Sequence, residues 1–195
     1  MNQTAEKTLI RPVQESDLAW IMPLGQELEE QGHFLSASGD REALGVEQVA
    51  QQVAQGLPAV GYVTPHREEP SFHEVTFNCL VVDEEPIGFV VDKSAFGTFK
   101  DGEVFSPFGV PFTFNEEDGA GAIEIWLLAI RADRRGEGFG QLLLDWYLSQ
   151  CGPGMMVLCR CPPQAEVMAE MLERRGFEHR YTIESNKHFY WQKPV

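Results

Sequence analysis

The chain has 195 residues, 43% of them hydrophobic and 23% charged, a composition typical of one folded domain with a substantial core. Its formal net charge of -15 argues against nucleic acid as the main partner, because phosphate backbones are bound by Lys and Arg. The first residues are polar, and no apolar run reaches the length of about 18 residues that a membrane span needs, so we expect a cytoplasmic protein.

The charge is unevenly distributed along the chain. The first 130 residues contain 6 Lys or Arg and 22 Asp or Glu, and the remaining residues contain 9 and 8. The two regions are therefore expected to face different ligands. Because an acidic surface concentrates positively charged molecules, the first region favours a cationic partner.

The first half of the chain predicts an antiparallel start to a mixed domain. We predict a strand at residues 9–13, a helix beginning near Ser16 that Pro23 kinks or interrupts, and a second helix at residues 45–57. Strands at residues 73–82 and 86–93 follow, joined by the turn residues Asp83-Glu84-Glu85 as a hairpin. We predict loops between these elements.

A segment rich in Phe and Gly, at about residues 95–121, interrupts the pattern. It contains six phenylalanines with no clear period: Phe96, Phe99, Phe105, Phe108, Phe112 and Phe114. Such residues would be an aggregation hazard if exposed, so we expect an ordered insertion that covers the domain.

The second half predicts the centre of the fold. The run IEIWLLAIR at residues 123–131 is almost wholly apolar, which indicates a central strand covered on both faces. It is followed by a glycine-rich turn and a buried helix with the sequence QLLLDWYLSQC. We then predict a strand at residues 155–161, a helix at residues 164–175 that Gly176 ends, and a hairpin of residues 178–183 and 188–192. We predict a single α/β domain spanning residues 1–195, with a mixed sheet of about seven strands and about four helices.

The turn between the apolar strand and its helix is the most informative stretch. Glycines allow a backbone to approach a ligand closely, and the free N–H groups at a helix start favour an anion such as phosphate. A dinucleotide GxGxxG would need Gly at the position of Gln141, and a P-loop would need Lys-Ser or Lys-Thr after its last glycine. The alternative is a plain connection whose glycines only permit close packing.

This turn resembles the R/Q-x-x-G-x-G/A signature of the GCN5-related N-acetyltransferase (GNAT) superfamily, met here by Arg135, Gly138 and Gly140. The apolar strand, the QLLLDW helix, the later Arg-Gly-Phe and the N-terminal IRPVQESDL are placed as in that family. The resemblance covers nearly the whole chain apart from the Phe-rich insertion. It implies a GNAT fold whose sheet is splayed after the fourth strand, and an enzyme that moves an acetyl or other acyl group from acetyl-CoA to a primary amine by direct attack in a ternary complex.

The resemblance also implies the cofactor site. The backbone of Leu128, Ala129 and Ile130 would pair with the pantetheine arm, and an N–H near Leu128 would polarise the thioester carbonyl. The pyrophosphate of coenzyme A would be held by the amides of residues 135–141, which we call the glycine-rich turn: Arg135, Gly136, Glu137, Gly138, Phe139, Gly140 and Gln141.

Glu124 is the candidate general base. In the histone-acetyltransferase branch of this family the general base is the Glu of the motif E-I-x-x-x-A-V, and residues 124–130 look similar to that motif. Alternation along a strand would put Glu124 on one face with Trp126, Leu128 and Ile130. A carboxylate in an apolar strand should have a raised pKa, which suits removal of a proton from an amine. The alternative is a glutamate at a strand end that faces solvent.

The usual general acid of the family is missing. Many relatives carry an Asn and a Tyr where this chain has Ala165 and Leu172, and that Tyr protonates the departing thiolate. Cys161, Ser185 or Tyr181 could replace it, or the thiolate could leave as such or take a proton from water. The absent Tyr keeps a second hypothesis open, in which the chain is a non-catalytic acyl-CoA-binding or protein-interaction module.

No metal site is expected. The five histidines have no partners at metal-binding spacing, and the four cysteines contain no CxxC pair, so we predict reduced thiols. Cys159 and Cys161 read as buried strand cysteines on one face. By this interpretation the partner is a small amine, with no nucleic acid or membrane partner, and the protein is a monomer or a homodimer.

Overall fold

The computed structural model describes residues 7–31, 46–56, 59–63, 70–94, 97–98, 104–105, 122–153, 155–183 and 187–192. Within these ranges the helices are α1 (Leu18–Glu30), α2 (Val46–Ala54), α3 (Phe139–Gln150) and α4 (Glu166–Glu173). The strands are β1 (Thr8–Pro12), β2 (Ala59–Val63), β3 (Pro70–Val82), β4 (Glu85–Ser94), β5 (Gly97–Thr98), β6 (Val104–Phe105), β7 (Ala122–Ile130), β8 (Met156–Cys161), β9 (Glu178–Ile183) and β10 (Lys187–Gln192). Short 3-10 helices at Glu15–Asp17 and Ala132–Arg134 precede α1 and α3.

Seven strands form the main sheet in the order β1-β3-β4-β7-β8-β10-β9, so the predicted mixed sheet of about seven strands is confirmed. The short strands β2, β5 and β6 extend the sheet near the beginning of β3. Of the strand pairs in the described ranges, β7–β8 is parallel and the others are antiparallel. Strand β2 lies where we predicted loop. Strands β5 and β6 fall in the Phe-rich insertion, whose remaining residues lie outside the described ones.

Two apolar clusters cover the two faces of the sheet. Strand β4 contributes to both, with Ile87 and Val90 packing towards α3 and α4, and Phe89 and Val91 packing towards α1 and α2. We call these sides the α3/α4 face and the α1/α2 face. Strict alternation along β4 fails at Ile87, where the pairing register with β3 shifts. Strand β7 contributes buried residues to both clusters, which confirms that it is a central strand covered on both faces.

The element boundaries follow local signals closely, with three differences. The hairpin between β3 and β4 turns on two residues, Asp83 and Glu84, both in the left-handed region with φ of 47° and 70°. Helix α1 continues through Pro23, so the predicted interruption there is wrong. Helix α3 is buried on one side only, since Leu142 is exposed while Leu143 and Leu144 are buried. No described helix is long and apolar enough to cross a membrane.

A partly buried ion pair joins β1 to the start of α1. Asp17 is 2% exposed and accepts hydrogen bonds from the Arg11 guanidinium at 2.6 and 2.9 Å, from the Gln14 amide at 2.8 Å and from Trp20 Nε1 at 3.2 Å. Burial raises the pKa of Asp17, but these donors outweigh it, and the pKa lies below its usual value. This network fixes the entry into α1.

We expect Asp17→Asn to lower the free energy of unfolding by about 2–4 kcal/mol, because it leaves the Arg11 charge without its buried partner. Urea denaturation followed by circular dichroism measures the change. The control is Asp133→Asn, which removes a carboxylate paired with Arg131 on the surface. Asp133→Asn should leave the unfolding midpoint unchanged, and equal effects of the two variants would contradict a structural role for the Arg11–Asp17 pair.

Candidate functional site

The parallel strands β7 and β8 separate half-way along β7. They pair from Ala122↔Met156 to Ile125↔Cys159, and beyond Ile125 the other edge of β7 stays paired with β4 as far as Ile130. No described strand pairs with the β8-facing edge of β7 beyond Ile125. The predicted splay after the fourth strand of the main sheet is confirmed, and main-chain groups on this edge are available to an extended ligand.

A cavity of about 520 Å³ fills the separation between β7 and β8, and we call it the split cavity. Residues of β7, β8, α4 and the glycine-rich turn line it. Its lining is mainly apolar, and its charged lining residues in the described part of the chain are Arg134, Arg135 and Arg160. The structure therefore brings the predicted cofactor residues Leu128, Ala129 and Ile130 to one cavity with the turn.

The glycines of the turn are needed for its backbone conformation. Gly136 and Gly138 have φ of 84° and 89°, in the left-handed region that side chains with a Cβ disfavour. A Cβ added at either position would have no atom within 4 Å, so close packing does not explain these two glycines. Gly140 has ordinary φ, and a Cβ there would touch Ile130 and Met171 at 3.8 Å, an ordinary contact.

The turn presents main-chain donors at the start of α3. Gly138 is the N-cap of α3 without a side-chain cap, and Leu142 is the first residue whose amide bonds back, to the Gly138 carbonyl at 3.1 Å. Within the described residues, no protein acceptor is bonded to the amides of residues 136–141. The Arg135 amide donates to the Ala132 carbonyl at 3.4 Å, so our prediction that all seven amides are available is wrong at Arg135.

The two arginines of the turn have different surroundings. Arg135 donates from Nε to the Ile130 carbonyl at 3.0 Å, and its Nη2 lies 3.4 Å from Glu27 of α1. Arg135 therefore holds the turn against the end of β7. Arg134 pairs with Glu137 at 3.1 Å, and its guanidinium carbon lies 4.9 Å from the ring centroid of Phe139. Both arginines add positive charge beside the free amides.

Glu124 lies in a buried cluster of charges. Its side chain is 1% exposed, its Oε1 accepts from Arg160 Nε at 2.6 Å, and its Oε2 lies 3.3 Å from Lys93 Nζ. The Lys93 Nζ also lies 4.9 Å from the ring centroid of Trp126. We call Lys93, Glu124 and Arg160 the ion-pair cluster, and it excludes the alternative in which Glu124 faces solvent.

The charges of the cluster reverse the expected pKa shift of Glu124. Burial raises the pKa of Glu124, but Arg160 and Lys93 outweigh it and the pKa is lowered, so the prediction of a raised pKa is wrong. Burial lowers the pKa of Lys93 to about 8, against the effect of Glu124. A buried carboxylate with a lowered pKa is a poor direct base for an ammonium group.

A β-bulge changes which residues of β7 share a face. Val91 pairs with Leu127 and Asp92 with Ile125, so Trp126 is the extra residue. Beyond the bulge, Leu128 and Ile130 pack on the α3/α4 face, while Trp126 packs on the α1/α2 face. The predicted face shared by Glu124, Trp126, Leu128 and Ile130 is therefore wrong, because strict alternation fails at Trp126.

Sequence reasoning missed Lys93 and Arg160 as partners of Glu124. The available signal was a single cation in each of two strands whose other residues are mostly apolar, which is typical of a buried pair. Leu172, which the resemblance matched to the family's Tyr, is fully buried in the core, and Ala165 lines the split cavity. Ser185 and the side chain of Tyr181 lie outside the described residues. Within the described ranges, no three His, Cys, Asp or Glu side chains form a metal-binding group.

No family model matches the chain, and no curated protein matches it by sequence. Solved structures do match. N-acetylglutamate synthase from Neisseria gonorrhoeae, solved with coenzyme A and N-acetyl-glutamate, is 18% identical over 97% of this chain with a TM-score of 0.56. The match covers 35% of that protein, so this chain spans about a third of its length. A protein from Desulfovibrio desulfuricans assigned to the GNAT acetyltransferase family is 15% identical, over 96% of this chain and 99% of that one, with a TM-score of 0.58.

This chain has the GNAT fold. The aminoglycoside acetyltransferase AAC(6')-Ib, solved with coenzyme A, is also similar, with 17% identity over 96% of this chain and 95% of that one and a TM-score of 0.57. All three comparisons cover almost the entire chain, so the GNAT fold accounts for the order of the elements on both sides of the Phe-rich insertion.

Proposed function

We propose that this chain is an N-acyltransferase that moves the acetyl group of acetyl-CoA, or another acyl group from its CoA thioester, to a primary amine. The observation that supports it best is the set of amides at residues 136–141, which have no protein acceptor in the described structure and lie at one end of the split cavity. Such donors at a helix start favour a doubly charged diphosphate.

The cofactor is proposed to run from the glycine-rich turn into the split cavity. Its pyrophosphate would accept from the amides of the turn, with Arg134 adding positive charge. Its pantetheine arm carries two amide groups, and these would pair with the main chain of Leu128, Ala129 and Ile130 along the edge of β7 that no described strand occupies. The mainly apolar lining would exclude water from the thioester.

The proposed reaction is direct attack in a ternary complex. The neutral amine nitrogen attacks the thioester carbonyl, an N–H near Leu128 stabilises the developing oxyanion, and the C–S bond breaks to release coenzyme A. The lowered pKa of Glu124 and its two cationic partners fit an electrostatic and structural role. Its role as direct general base stays a prediction.

The acceptor is the least defined part of the proposal. Neighbours with this fold were solved with N-acetyl-glutamate or with aminoglycosides, so the fold permits acceptors of either charge. The acidic first 130 residues predict a cationic acceptor. The charged residues that line the split cavity in the described part of the chain are arginines, so the cavity lining does not support that prediction. A non-catalytic acyl-CoA-binding module is the second candidate, favoured by the buried Leu172 at the position of the family's Tyr.

Two measurements on the full chain test the proposal. Calorimetry with acetyl-CoA should show saturable binding, and thiol release from acetyl-CoA should be accelerated by at least one member of a panel of polyamines, aminoglycosides, amino acids and basic peptides. Binding without thiol release on any amine would favour the non-catalytic module. Absence of acetyl-CoA binding would overturn both functions.

A further inference from the structure

Two buried thiols lie at the closed end of the split cavity. Cys159 and Cys161 are 4% and 1% exposed, both line the cavity, and their sulfur atoms are 3.9 Å apart. Cys159 is paired with Ile125 in the last rung of the β7–β8 ladder, so it marks the point where the strands separate. All four cysteines are free thiols, and the other two lie outside the cavity lining.

The proposed path of the cofactor brings its sulfur towards these thiols, and this step rests on the proposed function. A pantetheine arm that starts at the glycine-rich turn would pair with Ile130, Ala129 and Leu128 in turn, and the oxyanion donor proposed near Leu128 puts the thioester there. At about 3.3 Å per residue, Leu128 lies roughly 10 Å along β7 from Ile125, where the strands separate. Cys161 is two residues further along β8 than Cys159, beyond the last rung, so it would lie across the split cavity from the thioester.

The position of the missing acid lies in the same part of the core as the thiols. Leu172, which stands where related enzymes carry Tyr, belongs to the same buried cluster as Cys159 and Cys161. The contact with Cys161, together with burial, raises the pKa of Cys159 well above its usual value, so that thiol stays protonated near neutral pH. A protonated thiol can donate a hydrogen bond to a thiolate and does not compete with the amine as a nucleophile.

We propose that Cys159 and Cys161 form a thiol-donor pair that stabilises the sulfur of coenzyme A as it leaves. As the C–N bond forms and the C–S bond breaks, the electron pair of the C–S bond goes to the sulfur, which accepts S–H hydrogen bonds from the pair. The proton lost by the acetylated nitrogen then ends on that sulfur, through water, so both cysteines remain thiols. The pair would supply the hydrogen bond, though not the full proton transfer, of the absent hydroxyl.

Binding of coenzyme A as a function of pH tests this pair without any acceptor. The probes are coenzyme A and desulfo-coenzyme A, which lacks the thiol, measured by calorimetry between about pH 7 and 9.5, where a thiol begins to ionise. In the wild-type chain the preference for coenzyme A over desulfo-coenzyme A should increase with pH. In Cys159→Ala/Cys161→Ala this increase should be about fivefold smaller, because hydrogen bonds to a charged group are lost.

Cys79→Ala is the matched control, since Cys79 is fully buried on the α1/α2 face and does not line the cavity. It should behave as the wild type. If the double variant does not fold, Cys161→Ala serves in its place and should lose part of the increase, whereas Cys161→Ser, which keeps a hydrogen-bond donor, should retain most of it. The same pH dependence in all variants would overturn the thiol-donor pair while leaving the proposed function intact. Failure of the wild-type chain to bind either probe would instead overturn the proposed function.

Discussion

Glu124→Gln is expected to lower the free energy of unfolding by about 3–5 kcal/mol, because it leaves the buried Lys93 and the partly buried Arg160 facing a neutral amide. Glu124 is 1% exposed and is contacted by Arg160 at 2.6 Å and by Lys93 at 3.3 Å. Removing one member of a buried ion pair costs more than the pair contributes, since the remaining charges keep their desolvation penalty. Urea denaturation of the wild type and the variant measures the effect.

A double variant separates the charge imbalance from lost packing. Glu124→Gln/Lys93→Met removes one cation together with the carboxylate, and we expect it to recover part of the lost stability. Glu170→Gln is the surface control, because Glu170 and Arg174 are both exposed, and it should leave stability nearly unchanged. If Glu124→Gln abolished turnover with stability unchanged, Glu124 would act as the general base that the family resemblance implies.

Gly138→Asp is expected to weaken acetyl-CoA binding by at least about 100-fold, which corresponds to about 2.8 kcal/mol. Two effects act together. Gly138 has φ of 89°, which an aspartate adopts only with strain, and the new carboxylate would lie beside amides that we propose to hold a diphosphate. Calorimetry with acetyl-CoA measures the change.

Two further variants show which effect dominates. Gly138→Ala introduces the conformational strain without the charge and should weaken binding less than Gly138→Asp. Gly152→Asp is the control for the charge, because Gly152 follows the far end of α3, roughly 18 Å away along a helix of 12 residues, and has open space around it. Acetyl-CoA affinity that stays the same in Gly138→Asp as in the wild type would refute the proposed diphosphate site.

Local patterns in the sequence were sufficient for most elements. The apolar run at residues 123–131 corresponds to β7 (Ala122–Ile130), and the helix after the glycines corresponds to α3 (Phe139–Gln150). Both are set by interactions between near neighbours, namely apolar continuity in a central strand and glycines before a helix start. Strand β2 was missed because its five residues form a short stretch that gains its pairing only from β3.

The glycine-rich turn also followed from the sequence, but its signature was met by Gly138 and Gly140, whereas the positions whose positive φ requires glycine are Gly136 and Gly138. The Arg135 amide is the exception, since it closes the 3-10 turn at Ala132–Arg134 by donating to Ala132. A run of backbone amides can be predicted from glycine spacing, but which amide the protein itself uses depends on the conformation of the preceding residues.

By itself the sequence determined the fold class, the central strand and the glycine-rich turn, because each depends on residues that are close along the chain. Tertiary structure alone decided the environment of Glu124. Its partners Lys93 and Arg160 come from the strands on either side of β7, and the bulge at Trp126 depends on the register of β7 against β4. The charge state of a buried carboxylate is set by the groups that the fold places within a few ångströms of it, and no local pattern in β7 encodes those groups.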